Sequence, residues 1–299
     1  MYVYYCDHFE LPLPAGHRFP ICKYQLAREK VDARFGERIL LRVADAASRE
    51  QLIRIHHESY VARVFEGKLT DLEQKRIGFP WSAKMVNRSR RSTGATIAAA
   101  NRAWLDGIAA HLSGGTHHAF AGEGQGYCVF NDIAVATMDL ISQAKGRAGV
   151  VVDLDVHQGN GTAAIFENDA RLFTFSMHGD RNYPFRKTCG DLDVPLPDGT
   201  TDDQYLSKLE ENLKLISWQA FDFAFYIAGA DPHEADRLGR LKLSQKGLRE
   251  RDSMVIGRLR AEGLPTTVVM GGGYGDENCV AEIHANTIGV ALEHFGRGR

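Results

Sequence analysis

The stretch GVVVDLDVHQGNG, Gly149–Gly161, decides the architecture. Its apolar run, Val150–Val152, is short and β-branched and gives way to a glycine-containing loop, the pattern of a buried parallel strand. Residues two apart on a strand share a face. Asp153, Asp155 and His157 therefore tend to point the same way where the strand ends. The bland reading caps a loop with the carboxylates and packs the imidazole in the core. Buried charge without a partner is costly, and three such residues within five positions weigh against that reading. Two carboxylates and an imidazole on one face, at a strand's C-terminal end, point instead to a metal or acid–base site.

Outward from that strand the elements alternate. Upstream, Tyr2–Cys6 and Arg38–Val43 read as strands and Lys23–Phe35 as a helix, with a Pro- and Gly-broken loop at Leu11–Pro20. Ser48 is placed to cap a short helix running into His56 and His57, and Ser59 the next, through Phe65. Gly67–Trp81 is poorly patterned and reads mostly as loop. A long helix is expected from about Thr93, because Ile97, Trp104, Leu105, Ile108 and Leu112 share one face of a 3.6-residue repeat, and Gly114-Gly115 stops it. Gly115–Gly126 is Gly-rich and carries His117-His118, and Asn131 caps a helix to about Ser142.

Downstream, a short helix reaches Asn168, Leu172–Met177 is a strand and Asp180–Gly199 a long loop. Thr201 and Gln204 form a capping box ahead of a helix marked by Leu206, Leu209, Leu213 and Ile216. Phe221–Ala228 and Thr266–Met270 read as strands, Ser244–Glu262 and Cys279–Phe295 as helices. Strands alternating with helices at this spacing predict an α/β fold: a doubly wound, mainly parallel sheet flanked by helices on both faces. No linker, composition break or internal repeat divides the chain, which predicts one domain over residues 1–299.

Hydrophobic residues at 44% and charged residues at 25% are those of an ordinary globular protein. The net charge of −2 gives no global pull toward nucleic acid or anionic membrane, so neither is expected as a partner. The Arg88–Arg91 run lacks interleaved aromatics and reads as a solvated helix entry. No apolar run approaches the ~20 residues that span a bilayer. Met1–Cys6 reads as a strand rather than a leader. The five cysteines, Cys6, Cys22, Cys128, Cys189 and Cys279, are scattered and form no CxxC, so reduced thiols and a cytoplasmic location are expected.

The chemically loaded residues follow strands or sit beside them, where open α/β sheets place their sites: His117-His118; Asp153, Asp155 and His157; Asp231; and Tyr274. Together they hold the parts of a metal-assisted amide hydrolysis. Asp155, His157 and Asp231 would supply three ligands and leave positions for water and a substrate carbonyl. His117 or His118 would take the water's proton and return it to the leaving amine. Tyr274, on a glycine turn, could donate to the oxyanion, and Asp153 would orient a histidine from behind.

THHA at Thr116–Ala119, GYCVFND at Gly126–Asp132, DLDVHQGNG at Asp153–Gly161, GADP at Gly229–Pro232 and GGGY at Gly271–Tyr274 occur in that order. In these motifs, over nearly its whole length, the sequence resembles the zinc-dependent histone deacetylases and their bacterial relatives. HRFP at His17–Pro20, NYPFRK at Asn182–Lys187 and EADRLGRLKLS at Glu234–Ser244 look closer to the class IV branch than to others. The resemblance implies the arginase–deacetylase fold and one catalytic Zn2+ on Asp155, His157 and Asp231. It implies that His118 is the general base, that His117 is paired with Asp153, and that Tyr274 polarises the acyl carbonyl. Asn160 stands where some members carry an Asp behind the second histidine. An amide supplies no full negative charge, so His118 should be less biased toward its protonated form.

The resemblance also implies a structural K+ held by Asp153, Asp155, His157, Ser176 and Met177, through side chains and nearby carbonyls. Tyr127, Leu238, Gly126 and Gly272 match positions lining an acyl-lysine tunnel. Met270 replaces a fourth glycine found in some members, which is expected to stiffen the turn carrying Tyr274. The implied activity removes an acetyl or longer acyl group from the side-chain amine of acylated lysine. Acetylated polyamines and other small acylated amines present the same amide. A binuclear manganese amidinohydrolase would need further carboxylates where Gly159 and Gly229 stand. A non-catalytic acyl-lysine binding module would have no use for His117, His118 and Tyr274.

Overall fold

A computed structural model describes residues 1–296, so 297–299 of the expected domain lie outside the described residues. In chain order the elements are β1 (Tyr2–Tyr5), α1 (Lys23–Phe35), β2 (Leu40–Val43), α2 (Arg49–Ile53), α3 (Glu58–Glu66), α4 (Asp71–Ile77), α5 (Ala83–Asp106), β3 (Ile108–His111) and α6 (Asp132–Ser142). They continue as β4 (Gly149–Asp153), α7 (Asn160–Phe166), β5 (Leu172–Gly179), β6 (Leu192–Leu196), α8 (Asp202–Leu213), β7 (Phe223–Ile227), α9 (Gln245–Ala261), β8 (Thr266–Val269) and α10 (Glu277–Phe295). The eight strands form one open sheet in the order β2-β1-β3-β8-β7-β4-β5-β6. Every pairing is parallel.

The GVVVD run is β4, inside the sheet, and all five of its residues are buried. Side-chain alternation divides the core between the two faces. Val150 and Val152 pack with Ala224 and Tyr226 of β7 and with Leu209, Leu248 and Ile288 from α8, α9 and α10. Val151 turns the other way, with Phe223, Phe225 and Ile227, onto Tyr60 and Ile133 from α3 and α6. Helices thus cover both faces, as the near-continuous apolar strands require.

Four points differ from the sequence reading. The long helix begins at Ala83, ten residues before Thr93, and ends at Asp106; Ile108 and Leu112 lie outside it, with Ile108–His111 forming β3. Gly107, at φ +87°, terminates the helix and donates its N–H to the Ala103 carbonyl. The alanine-rich IAAH run continues the helical period by coincidence, which hid the strand. Within the expected loop Gly67–Trp81, α4 starts from a Thr70–Glu73 capping box. Within the expected loop Asp180–Gly199, LDVPL is β6, an edge strand whose Pro195 is tolerable only because it lies at the edge. The first short helix starts from Ser48 with its box to Gln51, but the next is capped at His57, not Ser59. Among the described residues no helix is long and apolar enough to cross a membrane. All five cysteines are free.

Candidate active site

The four central strands, β3, β8, β7 and β4, end side by side, and each delivers one motif. His117 and His118 follow β3, Tyr274 follows β8, Asp231 follows β7, and Asp153 closes β4 just ahead of Asp155 and His157. Adjacent parallel strands are about 5 Å apart, so residues distant in the chain meet in one cluster.

The metal-type donors are Asp155, His157 and Asp231. One ligand atom from each lies within 4.8 Å of the other two, and all three residues are buried. His157 Nδ1 is 3.0 Å from Asp155 Oδ1 and 3.1 Å from Asp231 Oδ2. Donors bound at about 2.0–2.1 Å around one tetrahedral centre are separated by roughly 3.3 Å, so a divalent ion fits this donor set. The remaining carboxylate oxygens are held from behind. Asp155 Oδ2 accepts from the Gly272 N–H at 2.6 Å and Asp231 Oδ1 from the Val156 N–H at 2.9 Å. Burial disfavours a charged His157, but the two carboxylates outweigh it and raise its pKa to about 10. Burial and the neighbouring Asp155 charge push Asp231 up to about 7. A divalent ion would take the place of the proton held among these groups.

The positions needed for a second metal are closed. A Cβ on Gly159 would meet Asp153 Oδ2 at 2.3 Å, and one on Gly229 would meet the Asp155 Cα at 2.7 Å. No carboxylate can stand at either position without moving a member of the site.

The two histidines sit in unlike environments although their rings are 4.1 Å apart. His117 Nδ1 is 2.6 Å from Asp153 Oδ2. Burial pulls its pKa down, but Asp153 and Asp155 overcome that and raise it to about 9. His118 Nδ1 instead faces Asn160 Oδ1 at 2.7 Å. Burial, then the positive charge of His117 and His157, hold His118 well below its ordinary value, and the amide offsets little of this. With Asn160 Oδ1 accepting, His118 carries its proton on Nδ1 and leaves Nε2 free as an acceptor.

Tyr274 is placed by its backbone. Its N–H donates to Asp236 Oδ2 at 2.6 Å, and its carbonyl accepts from Arg237 Nε at 2.5 Å. The glycines before it allow close approach: a Cβ on Gly272 would sit 2.0 Å from Asp231 Oδ2. The Tyr274 ring lies 5.9 Å from that of His157. Burial, then the Asp155 and Asp231 charges, raise its hydroxyl pKa well above the ordinary value, so it remains a donor at neutral pH.

A cavity of about 390 Å³ opens from this cluster to solvent, lined by His118, His157 and Tyr274 within and by Gly126, Tyr127 and Leu238 along its wall. Gly272 shares a lining with Gly126, Tyr127, His118 and Tyr274. It bounds a smaller inner cavity of about 40 Å³, beside Asp155 and His117. Of the residues assigned to potassium, Asp153 stands opposite Ser176 in the β4–β5 register, Met177 follows Ser176 on β5, and Asp155 and His157 follow the end of β4. Met270 is fully buried, and its N–H donates to the Ser113 carbonyl at 3.1 Å.

Two contacts of the site were not visible in the sequence. Tyr183 sets its ring edge-on to His118 at 4.9 Å and donates its hydroxyl to Gln125 at 2.7 Å. Lys23, buried in the first turn of α1, donates to the Gly273 carbonyl at 3.1 Å and sits 5.2 Å from the Tyr274 ring centre. The NYPFRK and HRFP segments flanking them were the only signals.

The histone deacetylase domain family matches residues 17–290 of the chain. An uncharacterized protein of Picosynechococcus sp. is 41% identical over 275 residues, which cover 91% of each chain. Histone deacetylase 2 of Arabidopsis thaliana is 30% identical over 262 residues, 84% of this chain but 66% of that protein, so the chain spans just under two thirds of the plant relative. Among solved structures, the crystal structure of an HDAC homolog complexed with SAHA superposes with a TM-score of 0.81. That match covers 99% of this chain and 84% of the other at 23% identity, a likeness of fold.

Proposed function

The chain belongs to the histone deacetylase family of the arginase–deacetylase superfamily, and from that premise we propose that it removes an acetyl or longer acyl group from the side-chain amine of acylated lysine. Family membership makes it a hydrolase of the deacetylase type. The observation that carries the finer reading is the arrangement at the inner end of the cavity. A three-donor set that meets the cavity through His157, one neutral imidazole with a free acceptor and one phenol stand together there.

Asp155, His157 and Asp231 would hold one Zn2+, which when bound polarises a carbonyl and makes water a stronger nucleophile at neutral pH. His118 accepts the proton of the attacking water at Nε2 and passes it to the leaving amine. His117, charged and anchored by Asp153, contributes positive field and keeps that neighbouring imidazole neutral. The Tyr274 hydroxyl donates to the acyl oxygen as negative charge builds there. Tyr127 and Leu238 line the path of the aliphatic stem and exclude water from it. A structural K+ beside Asp153 and Ser176, with Asp155, His157 and Met177, would fix the loop bearing the ligands. The structural neighbour is an HDAC homolog complexed with SAHA, which is in keeping with an acylated-amine ligand. The class IV affinity of the HRFP, NYPFRK and EADRLGRLKLS segments is retained as part of this reading, as is action in a reducing, cytoplasm-like compartment.

The test is a panel of acetyl-, octanoyl- and myristoyl-lysine peptides beside acetylated polyamines. Chelator-sensitive turnover of at least one peptide is expected, with loss of metal and turnover in Asp231→Ala. Turnover confined to polyamines would replace lysine as the substrate.

A further inference from the structure

We propose that the mouth of the cavity selects acyl-lysine segments flanked by acidic residues; this deepens, and rests on, the acyl-lysine reading. Beyond the site histidines, the charged side chains lining the outer cavity are Lys75, Arg76, Arg181 and Arg240, and no carboxylate lines it among the described residues. They come from three sides. Lys75 and Arg76 stand on the last turn of α4, Arg181 in the loop after β5, and Arg240 in the loop before α9. Their heads reach solvent: the side chains of Arg76, Arg181 and Arg240 are 48%, 73% and 52% exposed.

Among the described residues two carboxylates answer these four cations. Glu123 pairs with Arg76 at 2.5 Å, and Asp198 is divided between Arg240 at 3.1 Å and Arg181 at 3.9 Å. Lys75 has no carboxylate within ion-pair distance among the described residues. The chain as a whole carries a net charge of −2, so the excess of positive charge belongs to this face and not to the composition. Charge of one sign around the mouth of a low-dielectric cleft concentrates field there and attracts ligands of the opposite sign.

The chemistry beneath the rim decides what the anion belongs to. The acylated amine must reach the inner end beside His118 and Tyr274, while the cations stand where the stem leaves the cavity. The groups they meet are therefore those next to the acyl-lysine along its own chain. Glu or Asp on either side would gain a partner at Arg181, Arg240 or Lys75. A lysine-rich tail would bring cation against cation, as would the unmodified amines of an acetylated polyamine. Phe185, 88% exposed on the same rim, offers an apolar face for a neighbouring side chain.

Three peptides with one acetyl-lysine core, flanked on both sides by Glu, Ser or Lys, test this by fluorescence-anisotropy binding and by turnover with the zinc-loaded protein. At low ionic strength the Glu-flanked peptide should exceed the Lys-flanked one by roughly 5- to 20-fold in both affinity and kcat/KM, the scale of two or three part-exposed ion pairs. The ratio should contract toward one near 0.5 M salt, where the Debye length is roughly 4–5 Å. Arg181→Gln/Arg240→Gln, at exposed positions outside the core, should collapse it at low salt. Equal or inverted preference at low salt, or a ratio that the double variant leaves intact, overturns the proposal. Failure of all three peptides to turn over counts instead against acyl-lysine hydrolysis, while the binding ratio still tests the rim.

Discussion

Asn160→Asp replaces an amide by a carboxylate of the same shape, 2.7 Å from His118 Nδ1. The molecule contains its own control. His117, with Asp153 at 2.6 Å, is raised to about 9, whereas His118, with Asn160 in the equivalent place, is held well below its ordinary value by burial and by the positive charge beside it. An opposite charge in direct contact raises a histidine pKa by ~1–3 units. His118 works as a base only when neutral. Its low pKa in the parent therefore keeps activity level as pH falls to the mid-acidic range, and a raised pKa in the variant moves the acid limb upward. Well below both values the variant should be slower by the full shift, ~10- to 1000-fold, and above the new pKa its rate should recover. The assay is kcat/KM against pH from about 5 to 9 on one acyl-lysine peptide, with metal content checked at each end. An acid limb within about 0.3 units of the parent's would refute the claim that the Asn160 contact sets the base.

Tyr274→Phe should lower kcat by ~10²- to 10³-fold with metal content and thermal midpoint nearly unchanged, since it removes one oxyanion donor and keeps the ring; steady-state kinetics within about threefold of the parent would leave it a packing residue. Acid should destabilise the fold before it reaches the carboxylate range. Burial pushes His56 down to about 4 and His111 to about 3, and His56 is locked neutral, with Nε2 accepting from the Asn131 N–H and Nδ1 facing the Phe120 carbonyl. The unfolded chain binds these protons from pH ~6.5 downward, so stability is lost as pH falls from there toward 4, by on the order of 3 kcal/mol for His56. Urea midpoints equal at pH 7 and 4.5 would contradict this. Cys128 is 5% exposed and burial raises its thiol pKa, so iodoacetamide should label it far more slowly than the exposed Cys22 and Cys189; mass spectrometry showing the reverse order would contradict its packing role.

The site was legible because its chemistry is local in sequence. Asp153, Asp155 and His157 need only the two-residue period of a strand and the loop after it, and the remaining motifs each follow a strand end. The order that brings the four motifs together, β3-β8-β7-β4, was not legible as such, because it depends on pairings between distant segments. β3 itself was concealed, since alanines satisfy a helical stripe as readily as a strand and only Gly107 marked the break. The α4 helix carried a readable signal in Thr70 and Glu73 that the polar surroundings masked, and Pro195 argued against the strand it occupies. Lys23 and Tyr183 gained their contacts with Tyr274 and His118 through tertiary packing, for which neither periodicity nor spacing holds a cue.

The central claim is that one divalent ion, held by Asp155, His157 and Asp231, supports hydrolysis of an acyl-lysine amide. Metal analysis of the purified protein, coupled to turnover of its best acyl-lysine peptide, tests it most directly. The account predicts one tightly bound ion per chain, loss of turnover on chelation and recovery on adding back one equivalent of zinc. Two ions per chain, or turnover indifferent to removal of the metal, would contradict it.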